Sequence, residues 1–184
     1  LWAENIEKLT GTVFNFARKA LLQVLPTASN LVRWGRSQDP NCPLCNKQVP
    51  QTNKHVLSNC SSPAALARYK DRHDKVLALI VSWLRSVIGP EQKVYCDLMN
   101  DELQVCDLFT DRRPDIAIVN NVSVKTWELT ICHESNFTAS KQYKLNKYVN
   151  LASSKSTLCA KKLLTNFSLE ISTLGFISQT SEFL

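Results

Sequence analysis

The sequence predicts an α/β fold, a mixed sheet flanked by helices, with a small appendage on its amino-terminal side. Three observations predict it. Two runs rich in Ile and Val flank Asn120-Asn121, a pair that tolerates the positive φ of a tight hairpin turn, and place strands near 113–119 and 122–132. The stretch from Pro63 to Gly89-Pro90 keeps helical apolar spacing for about 26 residues, nearly 40 Å. Cys42, Cys45, His55 and Cys60 crowd a Pro- and Asn-rich segment that builds little core of its own.

In chain order, residues 1–25 read as one or two amphipathic helices, with Ile6, Leu9, Val13, Phe16, Ala17 and Leu21 near helical spacing, ended by Pro26. LPTASNLVRWGR then sets Arg33 and Arg36 around Trp34. This cluster could lie on a nucleic-acid backbone, or Trp34 could be a core residue between solvated arginines. Cys42-Pro-Leu-Cys45, nine residues, His55, four residues and Cys60 follow. Three thiolates and one imidazole at these spacings close a tetrahedral shell around Zn²⁺ and leave no open position, so the ion would be structural. It would supply most of the local folding free energy, on the order of 10 kcal/mol at neutral pH.

Ser61 or Ser62 can cap the long helix, whose first turn accepts Pro63. Leu66, Tyr69, His73, Val76, Leu77, Ile80, Leu84 and Val87 form one stripe along it. His73 on such a stripe reads as a hydrogen-bonded core residue, or Arg72, His73 and Asp74 face a site together. Arg72 would then contact phosphate, and Asp74 would orient His73 or support a metal-bound water. Lys93–Leu98 reads as a further strand. The segment after Phe137 reads helical, with Leu145, Tyr148, Val149 and Ala152 on one face and Lys141, Lys144 and Lys147 beside them. NFSLEISTLGFIS reads as a last strand with a turn at Gly175. Cys96, Cys106, Cys132 and Cys159 fit no metal spacing and read as small core residues.

The hairpin carries the chemistry. If Val119 opposes Val122, Asp115 opposes Thr126, and strand alternation puts Asp115 and Glu128 on one face about one residue pair apart. Ile116, Ile118, Trp127, Leu129 and Ile131 take the other, buried face. Like charges this close repel, and a divalent cation relieves the repulsion. Mg²⁺ (or Mn²⁺) suits two carboxylates with waters and phosphate oxygens, the chemistry of phosphodiester hydrolysis. Arg112 and Arg113 stand where a phosphate near Asp115 could be met. The bland reading is a hairpin with two solvated acids.

Pro114-Asp115, twelve residues and Glu128-Leu129-Thr130 are similar to the PD-(D/E)xK pattern of restriction-like endonucleases, with Thr130 where the pattern has its lysine. Some members take the lysine from the following helix, which points here to Lys144, with Lys147 as second choice. The order of the LPTxxNLxRWGR entry, the CCHC site, Arg-His-Asp, Arg-Pro-Asp, Glu-Leu-Thr and Lys-x-x-Lys-Tyr resembles the carboxy-terminal region of non-LTR retrotransposon polyproteins, over roughly residues 20–178. The resemblance implies a restriction-endonuclease-like sheet and an enzyme that nicks DNA to prime reverse transcription. It implies Asp115 and Glu128 as Mg²⁺ ligands and Lys144 as the charge-stabilising group. It also implies Cys42, Cys45, His55 and Cys60 as zinc ligands, with Arg72, His73 and Asp74 supporting the site or gripping DNA. Glu134 is a weaker candidate for a further acid. The expected division is a helical, basic segment over 1–38, the zinc-binding segment over 39–61 and the endonuclease over 62–184.

Whole-chain properties bound this reading. The chain of 184 residues is one ordinary domain, or one domain with a small appendage, and its start at Leu1 suggests a piece of a longer protein. A net charge of +6 favours a polyanion such as DNA, with the element's RNA and an upstream reverse transcriptase domain as further partners under the resemblance. No apolar run reaches membrane-spanning length and no secretory signal opens the chain, so no membrane partner is expected. Seven cysteines without a disulfide framework suit a reducing compartment, which under the resemblance would be the nucleus, and the sequons at Asn59, Asn121, Asn136 and Asn166 are discounted accordingly. The alternative function is a zinc-stabilised nucleic-acid-binding module whose nuclease site is inactive or reused by a host protein.

Overall fold

The computed structural model describes residues 8–179 and 181. The chain divides into two compact units, Leu1–Ala67 with Thr173–Gly175, and Arg68–Ser172 with Phe176–Leu184.

In the first unit, α1 (Gly11–Leu21) is capped by Thr10, whose Oγ1 accepts from Val13 N. Its expected apolar face is not buried. Val13, Phe14, Phe16 and Leu21 are exposed and only Ala20 is enclosed; Ile6 lies outside the described residues. The short α2 (Ala28–Arg33) starts on Thr27. Buried Asn30 on α2 donates through Nδ2 to the carbonyls of Gln23 and Leu25, replacing hydrogen bonds that Pro26 and the broken backbone cannot supply. Gly35 ends α2 at φ +69, a conformation that favours glycine. Trp34 is exposed, with the Arg36 guanidinium 6.0 Å from its ring centre, so the core reading of Trp34 is set aside.

The second unit is a mixed α/β structure around four strands in the order β1 (Lys93–Cys96), β2 (Ile116–Val119), β3 (Ser123–Cys132), β4 (Leu163–Ser172). β1, β2 and β3 are antiparallel neighbours and β4 runs parallel to β3. The parallel pair requires a crossover, which α4 (Phe137–Lys147) and a 3-10 turn at Leu151–Ser154 provide. The long helix α3 (Pro63–Val87) is capped by Ser62, whose Oγ accepts from Ala65 N.

Each sheet face has its own core. Leu77, Val81 and Leu84 of α3 pack with Ile116, Ile118, Trp127, Leu129 and Leu169, and Trp127 stacks on Phe167 at 5.0 Å. The other face packs Val105, Leu108, Phe109, Ala117, Val124, Tyr148, Leu151 and Cys159. The α3 stripe is shorter than its spacing predicts, because Leu66 and Val87 at its ends are exposed. Val149 is also exposed, since α4 stops at Lys147 and the chain turns at Tyr148. Cys96, Cys132 and Cys159 are buried, as expected, whereas Cys106 is exposed.

The hairpin register differs from the expected one by two residues. Val119 pairs with Val124 and Ala117 with Thr126. Asn120 causes the difference. Its Oδ1 accepts from Val122 N, Ser123 N and Ser123 Oγ, building a longer turn without positive φ at Asn120 or Asn121. No helix among the described residues is long and apolar enough to cross a membrane.

Candidate functional site

The first site is the cysteine and histidine cluster. Cys42 and Cys45 lie on a tight loop closed by Cys42 N–H to Val49 O at 2.9 Å and Gln51 N–H to Pro40 O at 2.8 Å. Asn46 and Gln48 take positive φ to complete the loop. His55 opens a single π turn, His55–Asn59, that delivers Cys60. The four ligand atoms all lie within 4.8 Å of one another, with Cys42 Sγ to Cys60 Sγ 3.9 Å and Cys45 Sγ to His55 Nε2 3.5 Å. A tetrahedron with Zn–S near 2.3 Å and Zn–N near 2.0 Å has edges of about 3.5–3.8 Å. The residues therefore fit a structural Zn²⁺ with no position left for substrate.

Surrounding groups tune these ligands. Burial raises the Cys42 thiol, but amide hydrogen bonds from Leu44 and Cys45, with His55, outweigh it and bring the pKa down to about 6. At Cys45 the Lys47 amide pulls downward, while burial and the neighbouring Cys42 and Cys60 sulfurs leave a net rise. Three thiolates in one shell repel until a cation joins them. Gln51 Nε2 donates to Cys42 Sγ at 3.7 Å, and Gln51 Oε1 accepts from Ala28 N, joining the metal loop to the start of α2. Ser62 Oγ, the cap of α3, lies 3.3 Å from Cys60 Sγ.

The second site lies on the sheet. Continuing the observed registers by one pair sets Asp115 directly opposite Glu128 on one side and opposite Asp97 on the other. Asp97 N–H donates to Asp115 O at 3.0 Å, in keeping with that extension. A row of three carboxylates thus crosses three adjacent strands. Asp115 Oδ2 accepts from Leu129 N at 2.7 Å and lies 3.5 Å from His73 Nε2. The other His73 nitrogen, Nδ1, is 3.2 Å from Asp74 Oδ1. Lys144 Nζ reaches from α4 to Glu128 Oε2 at 2.5 Å. Glu128 Oε1 is buried and, among the described residues, has no hydrogen-bond partner.

Electrostatics separate the acids. Burial first, then the charge of Asp115, push the Glu128 carboxyl up to about 7 against the pull of Lys144. Burial raises Asp115 too, but the hydrogen bond and charge of His73, with Lys144 and the Leu129 amide, leave it below the usual range. His73 is held up to about 9, chiefly by its hydrogen bond to Asp115 against burial, with Asp74 assisting. Asp97 is raised by desolvation among its neighbours, although its side chain is largely open to solvent, and by Asp115 and Asp74, with Arg113 opposing. Tyr148 Oη donates to Arg113 O at 2.8 Å, and burial with Glu128 and Asp115 raises its hydroxyl. Ser154 Oγ accepts from the amides of Asp111 and Arg112, fixing the approach to Asp115.

The structure thus brings Asp115, Glu128, Lys144, His73 and Asp74 together. Arg113 acts on Asp97, while Arg72 stacks over Tyr69 at 5.2 Å. Lys147 lies 4.8 Å over the Tyr148 ring, and Lys144 makes the contact with Glu128. Glu134 Oε2 sits 3.6 Å from His133 Nδ1. Arg33 and Arg36 are exposed in the first unit. Sequence reasoning missed Asp97 and gave Tyr148 only a packing role. The signal for Asp97 was its place at the end of a read strand, which carries weight only once that strand is paired with β2.

Residues 1–66 match the zf-RVT family, described as zinc-binding in reverse transcriptase. A comparison with curated proteins gives no match. The matched segment contains all four zinc ligands, so the zinc site and its likeness to reverse-transcriptase-associated domains support an origin in a retroelement.

Proposed function

We propose that the second unit is a metal-dependent DNA endonuclease of the restriction-like, PD-(D/E)xK type, which nicks target DNA to provide a primer for reverse transcription by a non-LTR retrotransposon. The observation that carries this reading is Asp115 opposite Glu128 with Lys144 Nζ on Glu128. A buried acid, Glu128, beside a partly buried one, Asp115, is costly unless a cation shares them. The buried, unpartnered Glu128 Oε1 supplies a lone pair for such a cation, and Asp115 supplies a charge held ionised by His73. Asp115 and Glu128 would hold Mg²⁺ or Mn²⁺, which when bound lowers the pKa of water and stabilises charge on a phosphodiester. Lys144 neutralises charge developing on the phosphate, and Asp74 orients His73. Arg112 and Arg113 bind the DNA backbone beside Asp115, with Arg72 as a further phosphate contact. DNA, the element's RNA and an upstream polymerase domain are the proposed partners, and the nucleus the proposed setting.

Supercoiled plasmid incubated with magnesium, with manganese and with neither tests the reading beside Asp115→Ala. Metal-dependent nicking that disappears in the variant, with DNA affinity retained, is expected. Nicking that persists in Asp115→Ala, or a folded, zinc-loaded protein that never nicks, refutes it. A second reading has its own observation. Lys144 and His73 already supply positive charge to both acids, and exposed Trp34 with Arg36 offers a stacking surface. On that reading the chain is a zinc-stabilised nucleic-acid-binding module without hydrolysis. It predicts binding that weakens steeply with salt and is indifferent to magnesium.

A further inference from the structure

We propose that the cleft beside Lys144 is a subsite for one nucleobase of DNA, with Tyr143 as its stacking platform. This rests on the nuclease reading of Asp115, Glu128 and Lys144. The cleft measures about 280 Å³ and is lined by Thr130, Asn136, Ala139, Ser140, Tyr143 and Lys144. That volume lies at the lower edge of small-molecule pockets, suited to a single base rather than a larger ligand.

The arrangement has a cause in the sequence. Asn136, Ala139, Ser140 and Tyr143 stand at the i, i+3, i+4, i+7 spacing of one helix face, continued by Lys144. Thr130 lies two residues past Glu128 on β3, on the same sheet face, where the endonuclease pattern would place a lysine. A long side chain there would fill the cleft. With the amine supplied by Lys144 from α4, a short Thr130 leaves the space open, and its buried Oγ1 has no hydrogen-bond partner among the described residues. Tyr143 is 67% exposed. A lone exposed aromatic is ordinary. This one borders a cleft whose next wall is the lysine bonded to Glu128. A strand whose phosphate reached the acid pair would therefore lay its adjoining base in the cleft, against the ring, with Thr130, Asn136 and Ser140 offering polar edges. Stacking of this kind tolerates any base, so the subsite positions the strand more than it reads sequence.

The test uses the whole chain, zinc-loaded, in an Asp115→Ala background so that DNA stays intact. Short single-stranded oligonucleotides carry 2-aminopurine at each position in turn. Quenching at one position is expected, lost in Tyr143→Ala and retained in Tyr143→Phe. The loss should weaken oligonucleotide binding by about fivefold to 150-fold, the range for one base stack. Thermal unfolding checks that the exposed substitution leaves the fold intact. Equal quenching and affinity in Tyr143→Ala overturns the proposal, as does quenching several nucleotides from the bond that the wild-type chain cuts. Tyr143-dependent quenching with no plasmid nicking under any metal keeps the base subsite and refutes the nuclease reading instead.

Discussion

Removing zinc should unfold the first unit while leaving the sheet of the second intact. Among the described residues from Lys8 to Ala67, Leu25 is the single large aliphatic side chain that is buried, joined by Ala20, Ala65, Cys42 and Cys60. Burying one leucine stabilises by about 2 kcal/mol and a methyl-sized group by less than half of that. Ordering backbone costs roughly 1–2 kcal/mol per residue. Both hydrophobic clusters instead consist of residues between Val76 and Ile171. The cation that joins Cys42, Cys45, His55 and Cys60 must therefore carry the local balance, on the order of 10 kcal/mol at neutral pH. Hydrogen exchange read by mass spectrometry, before and after removal of zinc with a chelator, checks this. Peptides spanning residues 28–60 should lose protection, and peptides from β3 and β4 should keep theirs. Cys60→Ser should behave like the chelated protein. Unchanged protection of residues 28–60 without zinc refutes the argument, as does simultaneous loss in both regions.

Two further outcomes follow from the second unit. Arg85 holds Asp101 through two bonds of 2.9 and 2.7 Å, chiefly by hydrogen bonding, and lowers its carboxyl to about 2. A depressed acid stabilises the fold above its ordinary value near 4 and loses that contribution as pH falls through 2. Asp101→Asn should therefore cost about 1–2 kcal/mol at pH 7, discounted for the partly open Arg85, and progressively less as pH falls from about 4 toward 2; denaturant melts across pH 2–7 check it. Leu77, fully buried between α3 and the sheet, should cost about 2–5 kcal/mol when replaced by Ala, read as a fall in denaturant midpoint. A cost below 1 kcal/mol would mean that α3 is not packed as described.

What was legible in the sequence was what local spacing dictates. Cys-x-x-Cys, His and Cys lie within nineteen consecutive residues, Cys42–Cys60, so a short loop and one π turn suffice to gather them. The helix from Pro63 was readable because Ser62, Pro63 and Gly89 act within a turn of its ends. The hairpin register was not, because an Asn side chain competing for backbone amides sets the loop length there. The two-residue error nevertheless preserved the faces, since side chains alternate with a period of two. It even understated the pairing, because the longer turn brings Asp115 directly opposite Glu128. The exposed face of α1 shows the reverse case, in which helical apolar spacing predicts a buried face and Val13, Phe16 and Leu21 remain open.

Asp97 shows where such reading stops. It lies eighteen positions before Asp115, and the connection between them holds a 3-10 turn, Val105–Asp107, and the buried Leu108 and Phe109. Nothing in that spacing announces that β1 returns beside β2. Only the pairing of Cys96 with Ile116 carries Asp97 to Asp115. Lys144 is the opposite case. It sits on a different element from the acids, yet α4 follows β3 after a four-residue connection, so a helix packed back on the strand it leaves brings an amine over Glu128. Sequential neighbours are usually spatial neighbours, and a charge displaced along the sequence by one such connection can therefore be recovered by reasoning. A charge displaced to the far strand of an antiparallel pair, across a long loop, requires the sheet order first.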